Sequence, residues 1–448
     1  MRISGFENII CIEEFHYCLM VDEHESCCFL ALVSEKHVHD CIDQMGKSCM
    51  VEGDGLKFRG TVTDITVTKG MDHYRVEAAL RGQTLRLDLE QKCRVYQNSE
   101  KTISDMLSKA GISEIQVSAH DDAVIREVFV QDHETDWAFM KRLSKYIDAH
   151  IFPGENVRIG GPLNETTALE ADDIIEMSVA LRQGKSEVRC QLNKQLALGT
   201  KTSFYGKEFF VDTVSCTKRH EMYVLEYHLS ECVQDRQYHC LPTYHLLAKV
   251  QGNDDPEGLG RVKLQYLEPY EDVMREEAMW VECASPWASK GHGLVCIPLV
   301  DDVVEVRIFD QQARVLSSRR VEAIDSRAED PNTRYLLAGE HTQLSLNDGR
   351  IKLDNSKCLC EISDETVKLN FGQAVEIALD EKSIQISLDQ SNVKIEGGRI
   401  IFSTDQTDME LSSETKLVTQ GFEVDGKSHA AITASNVSIK GKSGVSIN

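Results

Sequence analysis

The sequence predicts a mainly β, modular chain: two small strand-rich barrels around a small α+β segment, an OB-fold barrel, and a C-terminal β-helix or prism. Three observations lead there. Short alternating runs rich in β-branched residues fill most of the 448 residues, helical spacing is confined to a middle segment, and from Arg350 apolar-polar-apolar triplets recur roughly every eight residues. A chain of this length is too long for one core, so several domains are expected.

Residues 1–96 read as a first small barrel or sandwich. Thr61-Val62-Thr63-Asp64-Ile65-Thr66-Val67 and Tyr74-Arg75-Val76-Glu77-Ala78 alternate as half-buried strands do, with Gly-bearing turns between such runs. Residues 97–160 are the α+β segment. Thr102 and Asp105 stand three apart as in a capping box before a short helix that Gly111 stops. A second helix follows Thr135 and Asp136, its buried face marked by Phe139, Leu143 and Ile147, and Pro153-Gly154 closes it. Strand patterning returns in 161–242, read as a second barrel resembling the first, at Phe209-Phe210-Val211 and Tyr223-Val224-Leu225.

Residues 243–311 read as an OB module of five strands: Leu246 to Val250, Arg261 to Leu267, Met279 to Ala284, Leu294 to Leu299, and Val303 to Phe309. Residues 312–344 are a polar, Arg-rich connector, too short for another large domain. Residues 345–448 are the repeat array, with triplets such as Ile351-Lys352-Leu353, Val375-Glu376-Ile377, Ile384-Gln385-Ile386 and Val445-Ser446-Ile447. Each triplet turns two side chains to one face and one to the other, and Asp, Asn, Gly and Ser supply the corners. A single such strand cannot bury its own apolar face, so its neighbours must stack. The period alone leaves open whether one chain coils on itself or three chains intertwine.

Composition narrows the function. A net charge of −24 argues against nucleic acid and anionic headgroups, both of which need clustered Lys and Arg, and points to protein partners. No run approaches the ~20 apolar residues of a membrane helix. The N-terminus shows no signal-peptide pattern before Glu13 and Glu14, so ordinary secretion is not expected and assembly in the cytoplasm is. The 15 cysteines include no CxxC pair and are read as reduced, mostly buried thiols.

Chemical motifs fail on context. Gly421-Phe422-Glu423-Val424-Asp425-Gly426-Lys427-Ser428 matches a phosphate-binding loop, yet β repeat follows it where a helix is needed. Asn253-Asp254-Asp255 and Asp301-Asp302 lack the spaced ligands of a calcium loop and read as turns. In the OB segment Pro256 fixes a turn, while Gly258 and Gly260 allow positive φ before Arg261 starts a strand. Trp280 and Trp287 read as core or subunit-contact residues. No catalytic triad or metal-binding helix can be assembled, so no catalytic residue, cofactor or metal is expected.

The run Asn253-Asp254-Asp255-Pro256-Glu257-Gly258-Leu259-Gly260-Arg261-Val262-Lys263, with Trp280-Val281 and Ala284-Ser285-Pro286-Trp287-Ala288, resembles the OB module of VgrG-type spike proteins of contractile injection systems. Cys93-Arg94-Val95-Tyr96-Gln97 and Phe129-Val130-Gln131-Asp132-His133-Glu134-Thr135-Asp136-Trp137 resemble the hub region of that family and of phage tail hubs. The motif residues carried over are Asp255, Pro256, Gly260, Arg261, Trp280 and Trp287. Pro298-Leu299-Val300-Asp301-Asp302-Val303 departs from the Gly-Asp-Glu-Val that many relatives have after the proline, and Lys440 to Asn448 lack the His-x-His of metal-tipped spikes.

The resemblance implies a homotrimeric hub and spike at the centre of a type VI or phage-tail-like baseplate. Expected partners are the inner-tube and baseplate proteins, effector cargo, and a PAAR-like tip protein bound by the last strand, Gly444, Val445, Ser446, Ile447 and Asn448. The target membrane is met only on piercing. Two rival readings remain: a spike with cell-wall hydrolase activity, and a single-chain β-solenoid adhesin.

Overall fold

The computed structural model describes residues 1–441 apart from 98–99, 113–114, 120, 123, 125, 155, 164–165, 183–184, 205, 232–241, 291, 322–331, 340, 424–430 and 432. Two units result, Met1–Val321 and Glu322–Asn448.

In the first unit, alternation becomes sheet. Ser26–Val33 buries every second side chain, and so does the first half of Leu56–Lys69. Phe15, Phe29, Phe58, Ala78 and Leu80 meet in one core. A large apolar side chain buried in this way contributes about 1.5–3 kcal/mol. The strand-rich hub regions share one sheet. Ile9–Met20 pairs antiparallel with Lys207–Arg219, Thr213 lying opposite Met20 and Thr217 opposite His16, so twelve strands connect among the described residues. Cys216 of the later region lies in the earlier region's core. Val188, Cys190, Val211, Tyr227 and Leu229 fill a second core on the later strands.

The two helices sit where their caps place them. Ile103–Lys109 begins at Thr102, whose Oγ1 accepts from Asp105 N at 3.3 Å while Asp105 Oδ2 accepts from Thr102 N. Asp136–Tyr146 begins at Thr135, which accepts from Ala138 N at 3.1 Å. Phe139 and Leu143 are buried, and Phe139 stacks on Tyr96 with ring centroids 4.8 Å apart.

Residues 244–319 close a five-stranded barrel in the order Tyr244–Gly252, Val262–Tyr266, Trp280–Cys283, Gln312–Arg319, Val303–Phe309. This corrects the expected strand at Leu294 to Leu299. That run forms no strand; Leu294, Val295 and Leu299 are exposed, and Pro298 has no N–H to give a ladder. Gln312–Arg319 takes its place, pairing parallel with Trp280–Cys283. The expected connector, 312–344, therefore carries strands at both ends, because Arg334–Ala338 and Thr342–Asn347 already belong to the second unit's sheet. Polar, Arg-rich composition hid them: a strand whose outer face meets water needs apolar residues on one side only.

The second unit is a meander. Among the described residues eleven strands, from Arg334–Ala338 to Lys416–Thr419, each pair antiparallel with the next. Two-residue turns link several of them. Asp348-Gly349 joins Asn347 to Arg350, and Gly397-Gly398, both at positive φ, joins Glu396 to Arg399. This topology corrects the solenoid reading, because a single-chain coil pairs parallel strands one full coil apart and consecutive strands here pair antiparallel.

The thirteen described cysteines are free thiols: five buried, six half-buried, and Cys11 and Cys296 exposed. Burial pushes the Cys190 and Cys216 thiols up to about 11, which keeps them protonated and inert. Fewer are fully buried than the sequence reading expected. Cys358-x-Cys360 stands in the spike's apolar ladders, with Cys360 between Leu353 and Leu369.

Candidate functional site

Three features carry the functional residues: the OB loop, the junction between hub and barrel, and the apolar face of the second unit.

In the OB loop Asp255 is the organiser. Its side chain is 2% exposed and accepts from the amides of Glu257, Leu259 and Arg261 at 3.0–3.3 Å, and from Arg261 Nε and Nη2 at 3.0 and 2.8 Å. The Arg261 guanidinium, then these amides, hold its carboxyl well below the usual range. Gly258 and Gly260 stand at φ +67° and +71°, turning the chain around that carboxylate. Every strong acceptor site of Asp255 is therefore spent on its own loop. Arg261 Nη2 also meets Glu257 at 3.2 Å.

The other motif residues are more scattered. Pro256 sits in the same turn, Trp280 is half-buried with Lys263 Nζ 5.2 Å over its ring, and Trp287 is 60% exposed beside His292. The turn that departs from the family pattern is built on Asp301, at φ +77°, which pairs with Lys249 at 2.8 Å. Asp302 accepts from Leu299 N at 2.9 Å. The tip residues Gly444, Val445, Ser446, Ile447 and Asn448, and residues 424–428 of the phosphate-loop match, lie outside the described residues.

Sequence reasoning missed the junction. Val95, Val128 and Val130 of the hub pack into the same core as Leu246, Val262, Leu264 and Val306 of the barrel. Hub strand Gln91–Gln97 pairs with Glu271–Asp272 from the barrel's insertion. Gln97 is fully buried and clamps both sides: its Nε2 donates to the Leu264 carbonyl at 3.1 Å and to Asp272 Oδ2 at 2.7 Å. Burial pushes the Asp272 carboxyl up, against the bonds from Tyr266 N and Gln97 that draw it down. Alongside, Arg94 bridges Asp136 at 3.2 Å and Glu271 at 3.0 Å, while Lys92 meets Asp136 at 2.6 Å. Hub and barrel share one core and one polar network.

On the second unit, register sorts side chains by face. One face carries apolar ladders along the meander: Leu346, Ile351, Ile362, Val367, Leu379, Ile384, Ile395 and Ile400 are successive cross-strand partners. The other carries Ser345, Lys352, Glu361 and Lys368. Among the described residues no hydrophobic side chain after Val315 is buried.

Comparison with known proteins fits this layout. Residues 30–147 match the family model of the phage tail baseplate hub, and residues 246–314 match that of the type VI secretion system and phage-baseplate injector OB domain. No curated protein matches by sequence. Among solved structures, the E. coli c3393 protein, described as a type VI secretion component similar to the T4 tail proteins gp27 and gp5, aligns at TM-score 0.51 and 13% identity. The alignment covers 71% of this chain and 99% of that one. Chains of a Francisella PdpA–VgrG complex align at 0.50 over 92% of this chain and 84% of theirs (7% identity), and at 0.51 over 84% and 76% (8% identity). Along one polypeptide the chain carries a segment that matches a phage tail baseplate hub, then one that matches a type VI and phage-baseplate injector OB domain, then a meander of eleven described strands, and its fold is similar to that of the VgrG-containing structures.

Proposed function

We propose that the chain works as a non-enzymatic homotrimer, assembled in the cytoplasm, that links the inner tube and baseplate of a contractile injection machine to a piercing tip. The observation that carries this reading is the bare apolar face of the meander. Its ladders are half exposed from end to end, and a second and third copy of the same face provide a matching apolar cover. Each Ile or Leu so covered contributes about 1.5–3 kcal/mol, and closing the sheets on one another removes edges that would recruit unrelated chains. The shared hub–barrel core suits the same role, since a force transmitter needs a stiff neck.

The cavities support the non-enzymatic part. Among the described residues, the cavity of about 430 Å³ between Tyr17, Phe152, Arg158 and Tyr227 is lined by no carboxylate, imidazole or thiol. In another, of about 310 Å³, the one carboxylate among the described lining residues is Asp136, already paired with Lys92 and Arg94. A glycoside hydrolase of the lysozyme kind works with a pair of carboxyl groups flanking the scissile bond.

The solved complexes in which VgrG is bound to PdpA suggest cargo for this chain as well. A PAAR-like protein would extend the last strand at Gly444–Asn448. Sedimentation of the full chain tests the core of the proposal. Three copies give about 151 kDa, three times the 50.4 kDa of one chain, and a 50 kDa species with a folded spike would overturn it. Deleting residues Val437 to Asn448 is expected to abolish pull-down of a PAAR-like partner while hub melting stays unchanged.

A further inference from the structure

We propose that Cys93, Asp132 and His133 form a binding site for a thiophilic divalent cation, Zn²⁺ foremost, on the hub beside the OB barrel. The site is built by a β-bulge. Hub strand Gln91–Gln97 pairs with Val128–Thr135 so that Lys92 faces Glu134 and Arg94 faces Gln131, which leaves Cys93 alone opposite both Asp132 and His133. His133 takes φ +48°, the extra residue's turn, and with it the imidazole joins the thiol and the carboxylate. One ligand atom from each of the three lies within 4.8 Å of the other two.

The donor set selects the cation. Sulfur with imidazole nitrogen suits zinc and its borderline neighbours, whereas calcium and magnesium seek oxygen alone. Bond lengths of about 2.0–2.3 Å to zinc put tetrahedral ligands roughly 3.3–3.8 Å apart, so small rotamer shifts close the site. Asp132 is already held in place: its Oδ1 accepts from the Tyr270 hydroxyl at 2.8 Å and lies 2.9 Å from His133 Nδ1. A phenol that fixes a ligating carboxylate is what an outer shell supplies. Tyr270 comes from the barrel's insertion, so the cation would staple barrel to hub. The side chains of Asp132 and His133 are 37% and 73% exposed, leaving a way in and a fourth position for water or a partner's side chain. On binding, the Cys93 thiol gives its proton to solvent as the sulfur–cation bond forms.

Cobalt(II) added to the reduced full-length chain tests this. Thiolate ligation gives a sulfur-to-cobalt charge-transfer band in the near ultraviolet, expected to saturate at one equivalent per chain and to be displaced by Zn²⁺. Cys93→Ser should abolish the band. His133→Asn, which keeps a residue tolerant of positive φ, should weaken binding at least about tenfold, and Tyr270→Phe by about tenfold or more through loss of positioning. The control Cys11→Ser/Cys296→Ser, which removes the exposed thiols among the described residues, should leave the band intact. No band in the native chain, a band that survives Cys93→Ser, or one unmoved by His133→Asn would each overturn the site. The His133 variant decides the matter even if the half-buried Cys93 proves needed for folding.

Discussion

Val306 of the OB barrel and Ile386 of the spike belong to strands of the same alternating kind, yet Val306 is 0% exposed and Ile386 43%. The barrel closes on itself, so its five strands cover their own apolar face. The meander has no such closure in one chain, and its two faces differ only in chemistry. Identical local patterning thus yields one module that covers its own apolar face and another that leaves it open, the cover that the proposed trimer would supply. The hub follows the barrel's logic, sharing its core through Val95, Val128 and Val130.

The sharpest way to break this contrast is to charge the bare face. Ile377 and Ile386 are direct cross-strand partners, and replacing both by Asp would place two carboxylates side by side in the proposed interior. The expected outcome is loss of the trimer, from about 151 kDa to the 50.4 kDa chain, with hub melting unchanged. On the opposite face, Lys394→Ala should leave the mass as it was. A double variant that sediments like the parent would show the apolar face to be free, and the comparison with the barrel would fail.

Within the self-covered unit the effects are local. Leu264→Ala opens a cavity at a fully buried barrel position and is expected to cost about 2–5 kcal/mol in urea unfolding of the hub and barrel. Gln97→Ala leaves the Leu264 carbonyl and the Asp272 carboxylate short of a donor in a buried site, costing about 1–3 kcal/mol. If hub and barrel act as one body, either change should move a single transition. Two separate transitions would mean that the shared core does not couple them.

Much of this was legible in the sequence because the signals are local. Thr102 with Asp105, and Thr135 before Phe139 and Leu143, announce helices through caps and periodicity. The Asp and Gly corners of the repeat, among them Asp348-Gly349 and Gly397-Gly398, were legible as turns, though not as hairpins. Pairing across long separations was not legible. Nothing in Ile9–Met20 names Lys207–Arg219 as its neighbour, since alternation fixes a face and leaves the edge open. The misplaced barrel strand has the same origin: Leu294 to Leu299 is apolar enough for a strand, and Gln312–Arg319 is polar enough to be passed over. The Cys93, Asp132 and His133 grouping depends on a bulge, and a bulge is a property of two strands together. A shift in the alternation near Gln131–Glu134 is the one trace of it in the sequence.

The smallest expected effect lies in the hub's later strands. His228 Nδ1 stands 2.7 Å from Asp212 Oδ1 and 2.9 Å from Oδ2, and this hydrogen bond raises the imidazole above its ordinary 6.5 against the opposing effect of burial. A group whose folded pKa is raised contributes stability that is complete below about 6.5 and lost as pH climbs through the folded value. His24 works in the opposite sense. Burial lowers its pKa, so it weakens the fold as pH falls. The net slope of the native unit is a sum over such groups, and the difference between parent and His228→Gln isolates one of them. That difference should be within about 0.2–1 kcal/mol, as for a partly exposed ion pair, present at pH 6 and shrinking on the alkaline side of neutrality. A difference that instead grew with pH would mean that the ring is neutral in the fold and bonded to Asp212 only as an N–H donor.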